Sequence, residues 1–354
     1  MEEKKIIPFS VVYQKNRIRL ADAIPLPVPL CISIEPVVSC NFKCQMCWQS
    51  TKEFKEKGGP FSNMDDNIFQ KALTDIKELT QNTGKKIKLI KLYHAGEPLL
   101  HPKIGKMVEA VKKADVCTQV EITSNASLLT SEIAADLVEN GLDYFRASIY
   151  SVCEERSKQI TNTDISPDVI LEKIKYLRSC RDKTGRNKPY ISAKIMDTSE
   201  EEIKKFKAMY DGVADEAWVD IPWDLAGTKE KALDKLYGAY GSEARVKYHD
   251  TSLYKQRKAC RYPFTHLIVK TNGDVIICCM DWPRMTYLGN IMEMSLADIW
   301  QGEKLYNFRM MMLRTKGVDH PLCGDCELPL KDCPEDNIDD VSPEKLSAIY
   351  NSGK

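Results

Sequence analysis

The sequence is short of several things, and each shortage excludes a class of protein. It has no excess of charge, with Lys+Arg 51 against Asp+Glu 51. General nucleic-acid binders carry a basic excess, so that role is not expected. It has no run of about eighteen apolar residues, which excludes a membrane-spanning helix. Its first residues, MEEKKIIPFS, lack the apolar core of a signal peptide. It has no internal repeat and no low-complexity segment. A core is not what it lacks: 43% of its 354 residues are hydrophobic, so a wholly disordered chain is excluded. That length suits two domains, or one large α/β barrel with an appendage. One residue type is over-supplied, with 13 cysteines. Disulfides would be reduced in a cytosolic chain, and an odd number suits a disulfide framework poorly. Metal binding is therefore the leading reading of the cysteines.

Short apolar runs alternate with amphipathic stretches from about residue 31 to 225. Strands are expected over 31–38, 88–93, 118–124, 144–150, 190–196 and 216–221, and helices over 65–79, 102–114, 131–140, 167–180 and 199–210. Ser166-Pro167-Asp168 pairs an N-cap with Pro at the first helical position. Thr198 or Ser199, followed by Glu201 and Glu202, resembles a capping box, and Asn140-Gly141 is a stop. Strand–helix alternation implies parallel pairing with right-handed crossovers. Six units fall short of an eight-unit barrel of about 250 residues, so the expected fold class is α/β, a partial (β/α)6 TIM-like barrel. A β-hairpin is expected from 265–269 and 275–279 about the turn Asn272-Gly273, then a helix over 295–313. The expected divisions are an N-terminal extension (1–30), the barrel (31–225), a connector (226–258), a small hairpin and helix domain that binds a cluster (259–338) and a tail (339–354).

Cys40, Cys44 and Cys47 lie in SCNFKCQMCWQ, just after the first strand. Closed structural zinc sites want four ligands, and no His is near. A four-iron cluster held by three thiolates keeps one iron open. At this point the sequence resembles the radical S-adenosylmethionine (SAM) family, whose mark is three cysteines spaced by three and two residues after strand one of a partial barrel. The resemblance implies a [4Fe–4S] cluster whose open iron is chelated by SAM, and cleavage of SAM to a 5′-deoxyadenosyl radical that takes hydrogen from a substrate. Strand two ends in LYHAGEPLLHP, where Gly96-Glu97-Pro98 matches the family motif that contacts the SAM amino group, with Ala95 in place of a frequent second glycine. Strand three ends in ITSNASLL, which nominates Ser124 and Asn125 near the ribose. Strand four ends in RASIYS, where Ser148 matches a serine near SAM and Tyr150 stands where many members carry Asp. Met46 matches the bulky residue beside the adenine, and as a bare feature fits core packing equally. The lysines of 52–57 and 85–91 are expected on solvated faces.

The remaining cysteines divide again. Cys260 and Cys278 flank the hairpin, and Cys323 and Cys326 form a Cys-x-x-Cys pair. Four such thiolates can close around zinc or an iron–sulfur cluster. The resemblance here is to the SPASM and twitch extensions of radical SAM enzymes, whose opening signature is met by Cys260, Gly273 and Cys278. Cys279 competes with Cys278, because alternation along a strand lets only one face the metal. A full SPASM pattern needs seven cysteines, and after Cys326 only Cys333 remains, either spare or a substitute for Cys326. One auxiliary [4Fe–4S] cluster is therefore expected. Cys31, Cys117, Cys153 and Cys180 are expected as buried apolar thiols.

Two [4Fe–4S] clusters and SAM, with a reducing partner such as flavodoxin or ferredoxin and a reducing cytoplasm, complete what the resemblance implies. The resembling small-molecule members include aminocyclitol dehydrogenases with a single auxiliary cluster. The expected reaction is oxidation of a secondary alcohol on a sugar, aminocyclitol or nucleotide-sugar, with the auxiliary cluster accepting an electron. The alternatives are a peptide-modifying maturase, disfavoured by having 39 residues before Cys40, and a non-catalytic electron-transfer protein. Tyr93, His94, Arg146 and Lys194 are the candidates for substrate chemistry, with Asp220 and Trp223 near the last strand end.

Overall fold

In the computed structural model, which describes residues 17–59, 62–220, 258–324, 326, 328–331 and 333–352, the expected strands form one open sheet. The strands β1 (Cys31–Ile34), β2 (Ile87–Lys91), β3 (Cys117–Ser124), β4 (Tyr144–Ile149), β5 (Tyr190–Met196) and β6 (Glu216–Asp220) pair in parallel, each with the next. On its other side β1 pairs, again in parallel, with β7 (His266–Val269). Then β8 (Asp274–Ile276) and β9 (Gly289–Asn290) follow antiparallel. The order is β6-β5-β4-β3-β2-β1-β7-β8-β9, nine strands in a sheet that does not close on itself. The C-terminal hairpin thus continues the barrel's own sheet. Trp223 and the connector up to residue 257 lie outside the described residues.

Period-two alternation splits the sheet into two faces of opposite character. One parity supplies Ile32, Ile90, Val120, Ile122, Phe145, Ile191, Ile195 and Leu267, all buried in a single core with Ile76, Val108, Leu137, Ile174 and Phe206 of the covering helices. The other parity carries charge. Lys91 lies opposite Glu121, Arg146 opposite Thr123, and Lys194 opposite Ser148, so these side chains share the inner face. Burial of the apolar parity holds the register, since a one-residue slip would turn the charged set into the core.

The helices begin and end where their caps dictate. Asp65 accepts from the Asn67 N–H, Ser166 from the Asp168 N–H ahead of helix Pro167–Lys183, and Ser199 from the Glu202 N–H ahead of Glu200–Tyr210. Helix Ser131–Glu139 stops at Asn140-Gly141 as expected. Three expectations need correction. β1 ends at Ile34, because Pro36 has no N–H to give a ladder. The helix expected over 295–313 is two, Leu296–Gln301 and Glu303–Thr315, broken at Gly302, where ψ is 160° and an added Cβ would meet the Asp298 carbonyl at 2.5 Å. Cys153 is exposed rather than buried, since it stands as the N-cap residue of helix Glu154–Thr161, and Cys117 and Cys180 are only half-buried. Among the described residues no helix is long and apolar enough to cross a membrane.

Candidate functional site

The loop after β1 carries Cys40, Cys44 and Cys47, and both of its sides are tied down. The Lys43 and Gln45 N–H groups donate to the Thr161 and Ile160 carbonyls at 3.0 and 2.9 Å. On the other side the Glu97 N–H donates to the Ser39 carbonyl at 2.9 Å, and Gln49 Nε2 reaches the Val38 and Ala95 carbonyls, each at 2.6 Å. Gly96 permits this contact: a Cβ there would meet the Val37 carbonyl oxygen at 2.3 Å and the Ser39 oxygen at 2.6 Å. Ala95 packs with Val38, Trp48 and Phe54, so its methyl is used where the family often has glycine.

The chemistry of the three sulfurs fits an iron–sulfur cluster. They lie near enough that charge on one disfavours charge on the next. Burial, aided by nearby Glu97, pushes the Cys40 thiol up to about 12, so metal must displace a proton to bind it. Among the described residues no three His, Cys, Asp or Glu side chains close on a single metal ion. A four-iron cluster takes each thiolate at a different corner, so its ligands need not converge on one point. Donors already approach one sulfur: the Phe42 N–H lies 3.4 Å and Asn125 Nδ2 3.9 Å from Cys40 Sγ.

Glu97 joins the strand ends. It is 3% exposed and accepts from Ser124 Oγ at 2.6 Å, the Asn125 N–H at 2.8 Å and the Leu99 N–H at 3.1 Å. Burial still pushes its carboxyl up to about 7 against those three donors. Asn125 Nδ2 donates to Asn41 Oδ1 at 2.9 Å, back on the cysteine loop. Cys40, Gly96, Glu97, Ser124 and Asn125 are therefore brought together, as the motifs imply. Ser148 lies on the inner face opposite Lys194. Met46 is buried in the main core.

Below this rim the inner face holds a connected polar set. Arg146 donates to Tyr93 Oη at 2.6 Å, Glu121 Oε1 at 2.6 Å and Thr123 Oγ1 at 3.0 Å, and Tyr93 donates to the same Glu121 oxygen at 2.9 Å. Burial opposes ionisation of Tyr93, yet Arg146 and Lys91 hold its hydroxyl below the usual range. Burial raises the Glu121 carboxyl, with Arg146 opposing. Among the described residues, the second Glu121 oxygen, Oε2, is buried without a partner. Lys194 Nζ pairs with Asp220 at 2.6 Å, and Trp218 Nε1 donates to Ser192 Oγ at 3.0 Å. Lys91 turns inward with this set, unlike exposed Lys85, Lys86 and Lys88.

His94 is placed elsewhere. Its Nδ1 lies 3.0 Å from Glu35 Oε1, which also takes Lys270 Nζ at 2.6 Å, all three side chains being almost wholly buried. Burial alone would raise the Glu35 carboxyl, but Lys270 and His94 pull it down to about 2. This cluster joins the end of β1 and the loop after β2 to the hairpin turn, where the Thr271 N–H also donates to Glu35. Sequence reasoning missed Glu35, Glu121 and Lys270. The available signal was a charged residue inside an apolar strand, which alternation puts on the inner face.

The second cysteine set meets in a cavity of about 360 Å³ lined by Cys260, Cys278, Cys323 and Cys326. Cys279, whose Sγ lies 3.6 Å from the Tyr262 hydroxyl, and Cys333 are not among the lining residues. Four thiols from three separate pieces of chain are the donor set a cluster requires.

Comparison with known proteins agrees with both halves. The Radical SAM superfamily pattern matches residues 34–186, and SPASM, an iron–sulfur cluster-binding domain, matches residues 260–327. The chain is 28% identical over 326 residues to a tungsten-containing aldehyde ferredoxin oxidoreductase cofactor-modifying protein of Pyrococcus furiosus, covering 83% of this chain and 86% of that one. It is 26% identical over 298 residues to an S-adenosyl-L-methionine-dependent 2-deoxy-scyllo-inosamine dehydrogenase of Niallia circulans, covering 83% and 91%. The fold is similar to Streptococcus suis SuiB bound to precursor peptide SuiA, with a TM-score of 0.56, 18% identity and coverage of 92% of this chain and 76% of that one.

Proposed function

The chain belongs to the radical SAM superfamily and carries a SPASM domain, and from that premise we propose that it oxidises a secondary alcohol on a small polar substrate held against the inner face of the sheet. The radical SAM domain implies SAM with a [4Fe–4S] cluster, and the SPASM domain implies auxiliary iron–sulfur chemistry. When bound, these groups supply a hydrogen-abstracting carbon radical and a one-electron acceptor. Cys40, Cys44 and Cys47 would hold the first cluster, and Cys260, Cys278, Cys323 and Cys326 the second. Gly96, Glu97, Ser124, Asn125 and Ser148 would shape the SAM pocket.

The observation that carries the substrate class is the inner-face network. Tyr93, Glu121, Arg146, Lys194 and Asp220 present donors and acceptors together, which suits a ligand rich in hydroxyls and amines and poorly suits an apolar one. Glu121, with its free Oε2, is the acceptor for the hydroxyl proton that alcohol oxidation releases. Arg146 and Thr123 hold that carboxylate in place. The 26% identity to the aminocyclitol dehydrogenase supports the same reaction. A second reading, modification of a cofactor, is favoured by the likeness to the Pyrococcus furiosus protein, which runs at 28% identity over 83% of the chain.

The test is anaerobic reconstitution, reduction, and incubation with SAM against aminocyclitols, sugars, pterins and peptides. The expected outcome is 5′-deoxyadenosine formed in step with a ketone from a polyol, with deuterium carried from the substrate carbon into 5′-deoxyadenosine. Turnover confined to pterins establishes the second reading. Turnover confined to peptides overturns both.

A further inference from the structure

Strands β2, β4 and β5 each bring one cation to the inner face of the sheet, and two of the three are answered. Arg146 pairs with Glu121 at 2.6 Å and Lys194 with Asp220 at 2.6 Å. The third, Lys91, ends β2 between its register neighbours, Ser33 of β1 and Glu121 of β3. Its side chain is half-buried, with Nζ 5.6 Å from the centre of the Tyr93 ring, and Arg146 Cζ stands 5.9 Å from the same ring. Among the described residues no carboxylate pairs with Lys91, and no acceptor other than that ring meets its ammonium. The carboxylates of this face are committed elsewhere. Glu121 Oε1 receives Arg146, Tyr93 and Thr123, and Asp220 receives Lys194. Glu35 receives Lys270 and His94, and Glu216 is bonded to Tyr144 and Ser192 at the far end of the strands. An ammonium withdrawn from water without a counter-ion is costly, and methionine would fill the same space without that cost.

We propose that Lys91 is a specificity-determining residue that binds an anionic group, a carboxylate or a phosphate, on the substrate whose hydroxyl is oxidised. The proposal rests on the reading that the inner face holds that substrate. Adjacent strands lie about 5 Å apart, and Lys91 stands directly opposite Glu121. An anion on Lys91 therefore lies within a few bonds of a hydroxyl presented to Glu121 Oε2. Arg146 is spent on Glu121, Tyr93 and Thr123, which leaves the anion to Lys91. The class narrows from polyols at large to hydroxy acids and phosphorylated sugars or cyclitols in which anion and alcohol are close together.

The experiment has a melting arm and a turnover arm, both on the reconstituted full chain. In the first, melting temperature is followed in sodium phosphate, sodium acetate and sodium chloride at one ionic strength, for wild type, Lys91→Met and Lys91→Arg. In chloride Lys91→Met should melt no lower than wild type, since it removes an unanswered charge. Phosphate or acetate should raise the melting temperature of wild type above its chloride value. Lys91→Arg should keep part of that rise and Lys91→Met should lose it, and whichever anion acts names the group. A lower melting temperature for Lys91→Met in chloride, or no anion effect that depends on Lys91, overturns the proposal. In the second arm, sugars are compared with their phosphates and their acids. Lys91→Met should raise KM for the anionic member by about tenfold to a hundredfold, with kcat and the dissociation constant of SAM held. An equal loss of affinity for SAM moves Lys91 to the carboxylate of SAM and overturns the assignment to substrate. If no sugar of any charge turns over in wild type, the oxidation reading falls, and the melting arm still judges Lys91.

Discussion

The two cysteine sets solve one problem in opposite ways. Cys40, Cys44 and Cys47 fall within eight consecutive residues, on a loop clamped by Gly96, Gln49 and the end of helix Glu154–Thr161. Cys260, Cys278, Cys323 and Cys326 come from a helix start, a strand end and a loop, and only tertiary packing brings them to one cavity. A local set is cheap in chain entropy and leaves a ligand position open. A dispersed set closes more loop and surrounds its occupant. The buried Glu35–His94–Lys270 cluster ties the end of β1 and the loop after β2, next to the first set, to the hairpin turn of the C-terminal part.

That junction is where the comparison breaks hardest. Glu35→Gln leaves the Lys270 ammonium buried and uncompensated, which costs about 3–5 kcal/mol at neutral pH by urea denaturation. The carboxyl is held at about 2 against an ordinary 4.5, so its contribution is complete above 4.5 and drains as pH falls toward 2. The gap between wild type and variant should narrow through that window, and a gap independent of pH would show that the ion pair contributes no charge-dependent stability. Gly96→Ala attacks only the local set. Backbone oxygen at 2.3 Å from the new Cβ forces the loops apart, at about 1–3 kcal/mol, and iron analysis should fall from about eight per chain toward four. Retention of full iron would mean the clamp is dispensable. For the dispersed set, Cys278→Ser should remove the auxiliary iron alone, while Cys279→Ser keeps it, because only Cys278 lines the cavity. The reverse result would move the ligand to Cys279. The smallest effect is expected from Cys333→Ser, with iron content and melting temperature unchanged, and a loss of iron there would enlarge the ligand set.

How far each set could be read from the sequence follows from the same difference. The spacing of Cys40, Cys44 and Cys47 is local, so the string itself displays it. The six parallel strands were legible because their apolar parity is nearly unbroken. Glu121 was not, since its partners Tyr93, in the loop after β2, and Arg146, on β4, come from other parts of the chain and only the packed sheet brings them to it. Lys270 was hidden more deeply: its carboxylate partner precedes it by 235 positions. Cys278 against Cys279 could not be settled by alternation without knowing which face the cavity occupies. The break at Gly302 was missed because helical periodicity runs through it, and the obstacle, the Asp298 carbonyl, belongs to backbone rather than pattern.

The parallel pairing of β7 with β1 has a consequence for anyone who would divide this protein. Four register pairs, from Cys31↔His266 to Ile34↔Val269, seal what would otherwise be the bare margin of the barrel. A chain cut before residue 258 would present that margin, with four buried residues and unpaired N–H and C=O groups, to any neighbouring molecule. The C-terminal part is thus the barrel's selvedge: it keeps the fabric from fraying into aggregates, and grafting another relative's extension would succeed only if its first strand could be woven in at the same four stitches.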